Sequence, residues 1–497
     1  MRTATPTLIL LGLLGASCRD QPPPPAPGAP PAASALPTGT APPAGAQIPV
    51  TTASAEAALF FQKARDDADN TREAEAIERF REATRLDPQL AVAHAYLGYY
   101  EHGPDGQQSM ERALALSRDL PEAERLLVEE LAALRAGDNE KARERAARVA
   151  QLSPFDWHAQ LDLGNRYVAE HRYAEAEVAF GKAAAFGPAA AVTFNALGYL
   201  YLVQHRFDPA IVEFRKYAEL RPNEPNTFDS LGEALMATGK LDEAEESFRK
   251  AAAMKFYFAW DGVAETRFLR GDWARGMEAL AKSRAAAALP ADRFAVDETA
   301  IWAALAQGNV DDAFGRADVL EKEARDAGVD QHHAAAFTYR AAALLDSGKP
   351  KEALDELGKA TQLLDKAGSS SRATLPVRRL TLTLRAIAEA RLGKAPEAEK
   401  TAGELQALAA QAPAQADYRS MIPFGRGEAS LARGDTKEAL ARFRECPSDD
   451  LLCRRELWLL QEQTHDTAGA AATVAELRKV SLRDPTYVYV RSRMAAK

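Results

Sequence analysis

The sequence predicts an all-α protein, a right-handed α-solenoid of about twelve stacked helix-turn-helix units behind a proline-rich N-terminal stalk. Two observations carry that prediction. The pairs Leu163-Gly164, Leu197-Gly198 and Leu231-Gly232 recur with a period of 34 residues, and a self-similar period of this size marks a two-helix unit that must stack on its neighbours to bury its apolar face. The segment from Gln21 to Ala55 is the opposite case, since it holds no charged residue and is dominated by proline. Composition removes other classes. The 62 Lys and Arg against 71 Asp and Glu give a formal charge of −9, without the clustered basic excess of a nucleic-acid-binding protein. With 46% hydrophobic residues the chain is too apolar to be disordered throughout.

The chain opens with residues 1–17, where Arg2 precedes an apolar run from Leu8 to Leu14 and then small residues. That run is too short to span a bilayer, which takes about 20 apolar residues in a helix. A short apolar core between a positive charge and small residues is a secretory signal peptide. The stretch Leu14-Gly15-Ala16-Ser17-Cys18 resembles the lipobox of bacterial lipoproteins, with its leucine one place further from the cysteine than the family usually has it. The resemblance implies a diacylglycerol anchor on Cys18, which becomes the mature N-terminus. Arg19, rather than Asp, directly after it implies sorting to the outer membrane, facing the periplasm. Residues 18–55 then form a lipidated, disordered linker. Prolines 22–25, 27, 30, 31, 37, 42, 43 and 49 fix φ and remove N–H donors, so the segment is expected to be an extended spacer of about 3.1 Å per residue.

From Glu56 the composition turns to helix formers, and residues 56–497 read as one solenoid, with regular units to about residue 256 and longer, divergent units after it. Relative to Gly164, Gly198 and Gly232, an aromatic or Leu follows three places on (Tyr167, Tyr201, Leu235), Ala twelve on (Ala176, Ala210, Ala244) and Phe sixteen on (Phe180, Phe214, Phe248). Small residues at fixed spacing mark a close helix crossing, and Pro188 and Pro222 stop the second helix. This pattern resembles the tetratricopeptide repeat family. Its frame puts unit starts near Ala57, Ala91, Ala123, Trp157, Ala191, Pro225, Tyr257, Phe294, Ala334, Arg379, Ser420 and Leu451. After Tyr257 the steps lengthen to 37, 40, 45 and 41 residues. The turn persists there: Gly271, Gly308, Gly348, Gly393 and Gly434 each stand five residues before a small residue of the second helix, as Gly137 and Gly239 do. A residue without Cβ suits a left-handed end to the first helix. His171 and His205 take that place in two units, and His tolerates positive φ better than most types. Asp365 to Thr374 and Gln411 to Gln415 read as inserted loops, and Asp484 to Val490 as part of a final capping helix or an irregular tail.

The resemblance also implies a concave groove, lined by the first helix of each unit, that takes an extended peptide or a helix of a protein partner. In the best-phased units it places His158 and Asn165, then Asn195, Tyr199 and Leu202, then Asn226, Asp229, Glu233 and Met236 along that groove. Asn side chains can meet a partner's backbone donors and acceptors, while Tyr199, Leu202 and Met236 offer apolar anchorage. Leu161 and Ala196 stand where carboxylate-clamp repeats carry Lys and Asn, so a C-terminal carboxylate is not the expected ligand. Catalytic chemistry is not legible. His332 and His333 are adjacent and do not share a helix face. Gly425-Arg426-Gly427 lacks the third glycine and the preceding strand of a dinucleotide loop, and Ser369 to Ser371 lack a nucleophile elbow. No catalytic residue, metal or cofactor is expected. Cys446 and Cys453 flank Pro447 and, in an exported protein, are disulfide candidates. The function these readings imply is a lipid-anchored scaffold of the bacterial cell envelope that mediates protein–protein interaction or complex assembly. The alternative is a small-molecule sensor or enzyme with its site inside the superhelix. Its mark would be inward-facing charged or aromatic residues from several units with shifted pKa values.

Overall fold

The computed structural model describes residues 48, 50–70, 72–101, 103–366, 374–411, 420–447, 450–478 and 485–495. The signal peptide, Cys18, the stalk up to residue 47, Ser369 to Ser371 and the greater part of both expected loops lie outside the described residues. The described chain falls into two compact units divided at Thr227 and Phe228, where the sequence reads as one solenoid.

The first unit holds α1 (Ala55–Asp69), α2 (Glu73–Leu86), α3 (Ala91–Tyr100), α4 (Gly103–Leu116), α5 (Glu122–Ala136), α6 (Asn139–Leu152), α7 (Trp157–Ala169), α8 (Tyr173–Phe186), α9 (Ala191–Val203) and α10 (Phe207–Leu220). The division lies within α11 (Pro225–Ala237). The second unit continues with α12 (Leu241–Ala253), α13 (Ala259–Leu269), α14 (Trp273–Ala286), α15 (Pro290–Ala306), α16 (Val310–Asp326), α17 (Asp330–Asp346), α18 (Pro350–Lys366), α19 (Leu375–Arg391) and α20 (Ala395–Gln411). It ends with α21 (Met421–Ala432), α22 (Thr436–Arg444), α23 (Leu451–Gln463), α24 (Thr467–Arg478) and α25 (Pro485–Ala495). Odd- and even-numbered helices alternate as the first and second members of twelve pairs, and the odd-numbered starts follow the frame read from the sequence. Consecutive odd-numbered helices also pack on one another, as α3 does on α5 and α19 on α21, so they form the inner layer.

The sequence code has a direct packing cause. A Cβ added to Gly164, Gly198 or Gly232 would lie 2.3, 2.5 or 2.8 Å from the ring of Phe180, Phe214 or Phe248. Each ring therefore rests on bare backbone of the partner helix. These three phenylalanines are fully buried, and such burial contributes about 1.5–3 kcal/mol per side chain. The same contact recurs far along the chain, where a Cβ on Gly427 would lie 2.4 Å from Phe443. Gly425-Arg426-Gly427 is thus the inner-helix crossing of a late repeat.

The turns follow the expected chemistry. Gly137, Gly239, Gly271, Gly308, Gly348, Gly393 and Gly434 all have φ between 63° and 78° or 79°, and His171 and His205 have φ 59° and 56°. In four turns the next residue, Asp138, Asp272, Asn309 or Asp435, caps the second helix through its side chain, satisfying one of the N–H groups a helix start leaves unpaired. His465 (φ 60°) and Lys255 (φ 67°) hold the same conformation without having been expected to.

The lengthened repeats owe part of their added length to the helices themselves. Helices α15 to α20 are each 17 residues long, against 13 or 14 for α7 to α12. Each member of these pairs gains about one helical turn of 3.6 residues. Longer rods supply about seven residues of each such step, and the segments after Lys366 and Gln411 supply the rest of the two longest. At the N-terminal side Ile48 packs among Leu126, Val149, Ala150, Ala159 and Leu163, so residues 48 and 50–54, at the end of the expected linker, form a strap on the folded unit.

Candidate binding site

In the first unit the inner layer collects charge and aromatic rings from four repeats. Arg65 on α1 lies 5.8 Å from the ring centroid of Tyr96 on α3. Arg166 on α7 sits 3.9 Å from Glu130 on α5, and Asp162 is one turn away on the same helix. Burial, reinforced by Asp162 and opposed by Arg166, pushes the Glu130 carboxyl up to about 8. Burial raises Asp162 as well, against the pull of Arg65 and Arg166. For Arg65 burial works to lower the pKa, but Tyr96, Asp69 and Asp162 outweigh it and the guanidinium is held more firmly charged. Two basic and several acidic groups thus answer one another inside the unit. The layer closes on itself at its ends: Arg72 pairs with Glu224 at 2.7 Å, and Arg221 with Asp66 at 2.5 Å.

The strap is held by side chains from three repeats of this unit. The Ile48 N–H donates to Asp156 Oδ2 at 2.7 Å, the N-cap of α7. Thr51 donates its N–H and its hydroxyl to the two carboxylate oxygens of Glu124 at 2.7 and 2.5 Å, and the Thr52 hydroxyl donates to Asp87 Oδ2 at 2.5 Å. Val50 packs against the apolar core of the first repeats. Apolar side chains enter the unit while acidic side chains capture main-chain N–H groups.

The groove residues expected from the sequence divide. Tyr199 is buried edge-to-face on Phe214, with ring centroids 5.1 Å apart. Asn226 is buried and donates to the Tyr217 hydroxyl at 3.4 Å. Asp229 is buried, and Met236 is fully buried with its sulfur 3.7 Å from the Thr266 hydroxyl. Burial takes these four out of the exposed lining: their positions fall on the side of the inner helix that meets its neighbours. His158, Asn165, Asn195, Leu202 and Glu233 remain part-exposed. His158 stands 3.5 Å from Asp69. Asn195 Oδ1 is buried with no hydrogen-bond donor from the described residues.

The second unit repeats the theme around a cleft on its inner layer. Asp346 at the end of α17 is 3% exposed and accepts from Arg455 on α23 at 3.0 Å. Arg455 also pairs with Glu456. Glu428 on α21 is pushed well above the usual carboxylate range by burial and by Glu456, against Arg391 and Arg455. Into this cleft comes α25, packed on α13, α15 and α23, all inner-layer helices, and on α24. The capping helix expected at the end of the chain is therefore present, and it covers the inner face of the second unit. Close by, Cys446 and Cys453 form a disulfide with S–S 2.06 Å. His332 faces Glu298 at 2.8 Å and His333 faces Glu321 at 3.9 Å, so the two rings serve different helices.

The sequence did not show which of its many charges face inward. Arg65, Glu130, Asp162, Arg166, Asp346 and Arg455 are the site residues it left hidden. The signal was present in one form, since all six sit on the first helix of a repeat.

The fold is that of a tetratricopeptide-repeat array, by its period, its glycine–phenylalanine crossings and its left-handed turns. No protein-family model matches the chain, and no curated protein matches it in sequence. Among solved structures it is similar to MamA, with 18% identity over 32% of this chain and 93% of that one at a TM-score of 0.30. It is similar to YrrB, a TPR protein with an unusual peptide-binding site, with 18% identity over 42% of this chain and 91% of that one at a TM-score of 0.28. A tetratricopeptide repeat protein from Parabacteroides merdae is 14% identical over 66% of this chain and 99% of that one, with a TM-score of 0.34.

Proposed function

We propose that this chain is a lipid-anchored repeat scaffold of the bacterial cell envelope, held by Cys18 at the periplasmic face of the outer membrane, that binds a protein partner on its inner helices. The observation that carries the binding part is the strap: residues 48 and 50–54 lie on the first unit, with the N–H groups of Ile48 and Thr51 taken by Asp156 and Glu124. A surface that holds one such segment has the donors, acceptors and apolar slots to hold another. Asn195, whose buried carbonyl oxygen has no donor among the described residues, and part-exposed Asn165 offer further main-chain contacts. The anchor rests on the lipobox-like stretch and the uncharged proline-rich spacer behind it, and the outer-membrane placement on Arg19 directly after Cys18.

The second reading, a small-molecule sensor or enzyme, finds its expected cluster in Arg65, Glu130, Asp162 and Arg166. Those charges face one another, and the strap shows a polypeptide in place, so the scaffold reading is preferred. The test is affinity capture from detergent-solubilised envelopes, comparing wild type with the Asn165→Ala, Asn195→Ala double variant. An envelope protein captured by wild type and depleted at least about tenfold by the variant, roughly 1.4 kcal/mol of binding, supports the reading. Identical capture sets exclude the inner-face site. Tyr199 is left unchanged because its loss would open the core under Phe214. Cys18→Ser tests the anchor, which is refuted if the variant still partitions with the membrane.

A further inference from the structure

The last helix is out of sequence with the stack it covers. Helix α25 follows α24, yet it lies across α13, α15 and α23. Its side chains fill the cleft closely: Tyr487, Val488, Tyr489, Val490 and Met494 are all buried. Four consecutive buried residues mean that the helix is enclosed on most of its circumference at that turn.

The polar contacts are those of recognition. The Tyr489 hydroxyl donates to Asp346 Oδ1 at 2.7 Å, and its ring lies 5.1 Å from Trp302 and 5.6 Å from the Arg455 guanidinium. One turn on, Arg493 faces Asp346 Oδ2 at 3.8 Å, an oxygen that is buried and accepts no hydrogen bond from the described residues. The cleft therefore reads a phenol and a cation four residues apart against one carboxylate, to which Arg455 also donates. An ordinary core position at the end of a solenoid needs apolar burial alone, and a buried charge there is a burden unless it selects something.

We propose that this cleft is a helix-docking site and that α25 is its displaceable resident: a partner's amphipathic helix bearing Tyr-x-x-x-Arg on one face enters in its place. The proposal rests on the reading of the chain as a protein-binding scaffold and adds the partner's chemistry and the means of regulation. An isolated helix of 11 residues is below the length that holds its shape in water, so α25 released from the cleft unfolds. Its exchange for an incoming helix is then an order-to-disorder switch. The occupant is selected at Asp346, where Arg493 and the Tyr489 hydroxyl of α25 stand against a carboxylate that also pairs with Arg455.

The experiment uses the full chain carrying Tyr489→Ala and Val490→Asp, which releases α25, and a fluorescent peptide of residues 484–497 as the probe. The expected result is saturable binding to the released variant at least tenfold tighter than to wild type, lost when Asp346→Ala is added. No binding to the released variant, or equal binding to both chains, overturns the proposal. If the variant fails to fold, hydrogen exchange on wild type decides. Amides of residues 487–494 are expected to exchange through their own opening, at least tenfold faster than those of α15 and α23; exchange locked to those helices overturns it. Peptide binding without any envelope partner would refute the scaffold reading alone, and partner capture without peptide binding would refute the exchange alone.

Discussion

Single residues here are constrained by contact far more than by type, and glycine shows it best. At Gly198 an added Cβ would lie 2.5 Å from the Phe214 ring, which is wedged between packed helices and cannot retreat. Gly198→Ala is expected to cost about 1–3 kcal/mol through overpacking, read as a lower melting temperature. Gly358 is also inside a helix, α18, but meets nothing within 4 Å, so Gly358→Ala is expected to stabilise by about 0.5–1 kcal/mol through helix propensity alone. The two substitutions look alike in sequence and should move the melting temperature in opposite directions. Buried acids give a second residue-scale outcome. Glu130 holds its proton in the fold to about pH 8, mainly through burial, whereas unfolded Glu loses it near 4.5. Between those values the folded state binds more protons than the unfolded one, so stability from this group is full below pH 4.5 and is lost as pH rises through about 8. Asp162 and Arg166 act on Glu130 directly, and burial raises Asp162, Tyr96 and Tyr99 in the same interior, where Arg65 is held charged. Glu130→Gln is expected to flatten the fall in melting temperature between pH 5 and pH 8; an unchanged slope would mean that Glu130 is ionised across that range. These inner charges were not legible in the sequence because a repeat with Asp and Glu on every helix gives no sign of which ones turn inward. Once the first-helix positions were fixed, only the angle about each helix was missing.

At the scale of elements, period and turn were the legible features, and their physics explains why. The crossing of two helices at a glycine and the left-handed turn after it each demand a residue type, so they print themselves at Gly164, Gly271 and Gly434 alike. Helix length demands no particular residue, and the extra turn in α15 to α20 was therefore visible only as a longer step. Burial within a helix is half legible: Tyr199 and Met236 hold lining positions in the repeat frame yet are buried, because a pattern of spacings does not say how closely the neighbouring repeat sits. The strap was missed for a similar reason, since Ile48 and Val50 are two apolar residues in a stretch dominated by proline. The disulfide between Cys446 and Cys453 ties α22 to α23 across a sequence separation of seven. By loop-closure entropy such a short bridge contributes about 2–3 kcal/mol. Reduction is expected to destabilise the last repeats by that amount, read as a lower unfolding midpoint in the tryptophan fluorescence of the second unit, to which Trp458, buried on α23, contributes. A midpoint unmoved by reductant would show that packing of Cys446 and Cys453 alone suffices there.

For the whole molecule the question is whether the chain unfolds as one body or as two. A repeat array is stabilised by contacts between neighbours and has no single core through which cooperativity must pass, and the contacts here gather into a unit up to Thr227 and another from Phe228. The five tryptophans are unevenly shared, with Trp157 in the first unit and Trp260, Trp273, Trp302 and Trp458 in the second. Tryptophan fluorescence therefore reports chiefly on the second unit, while far-UV circular dichroism counts helices in both. In a urea titration the two probes are expected to give separate midpoints, and Trp157→Phe is expected to leave the fluorescence midpoint where it was. The Glu130→Gln substitution, in the first unit, should then shift the dichroism curve at pH 8 and leave the fluorescence curve in place. Coincident curves for both probes, with Glu130→Gln moving them together, would mean that stability passes undivided across α11 and that the two units fold as one.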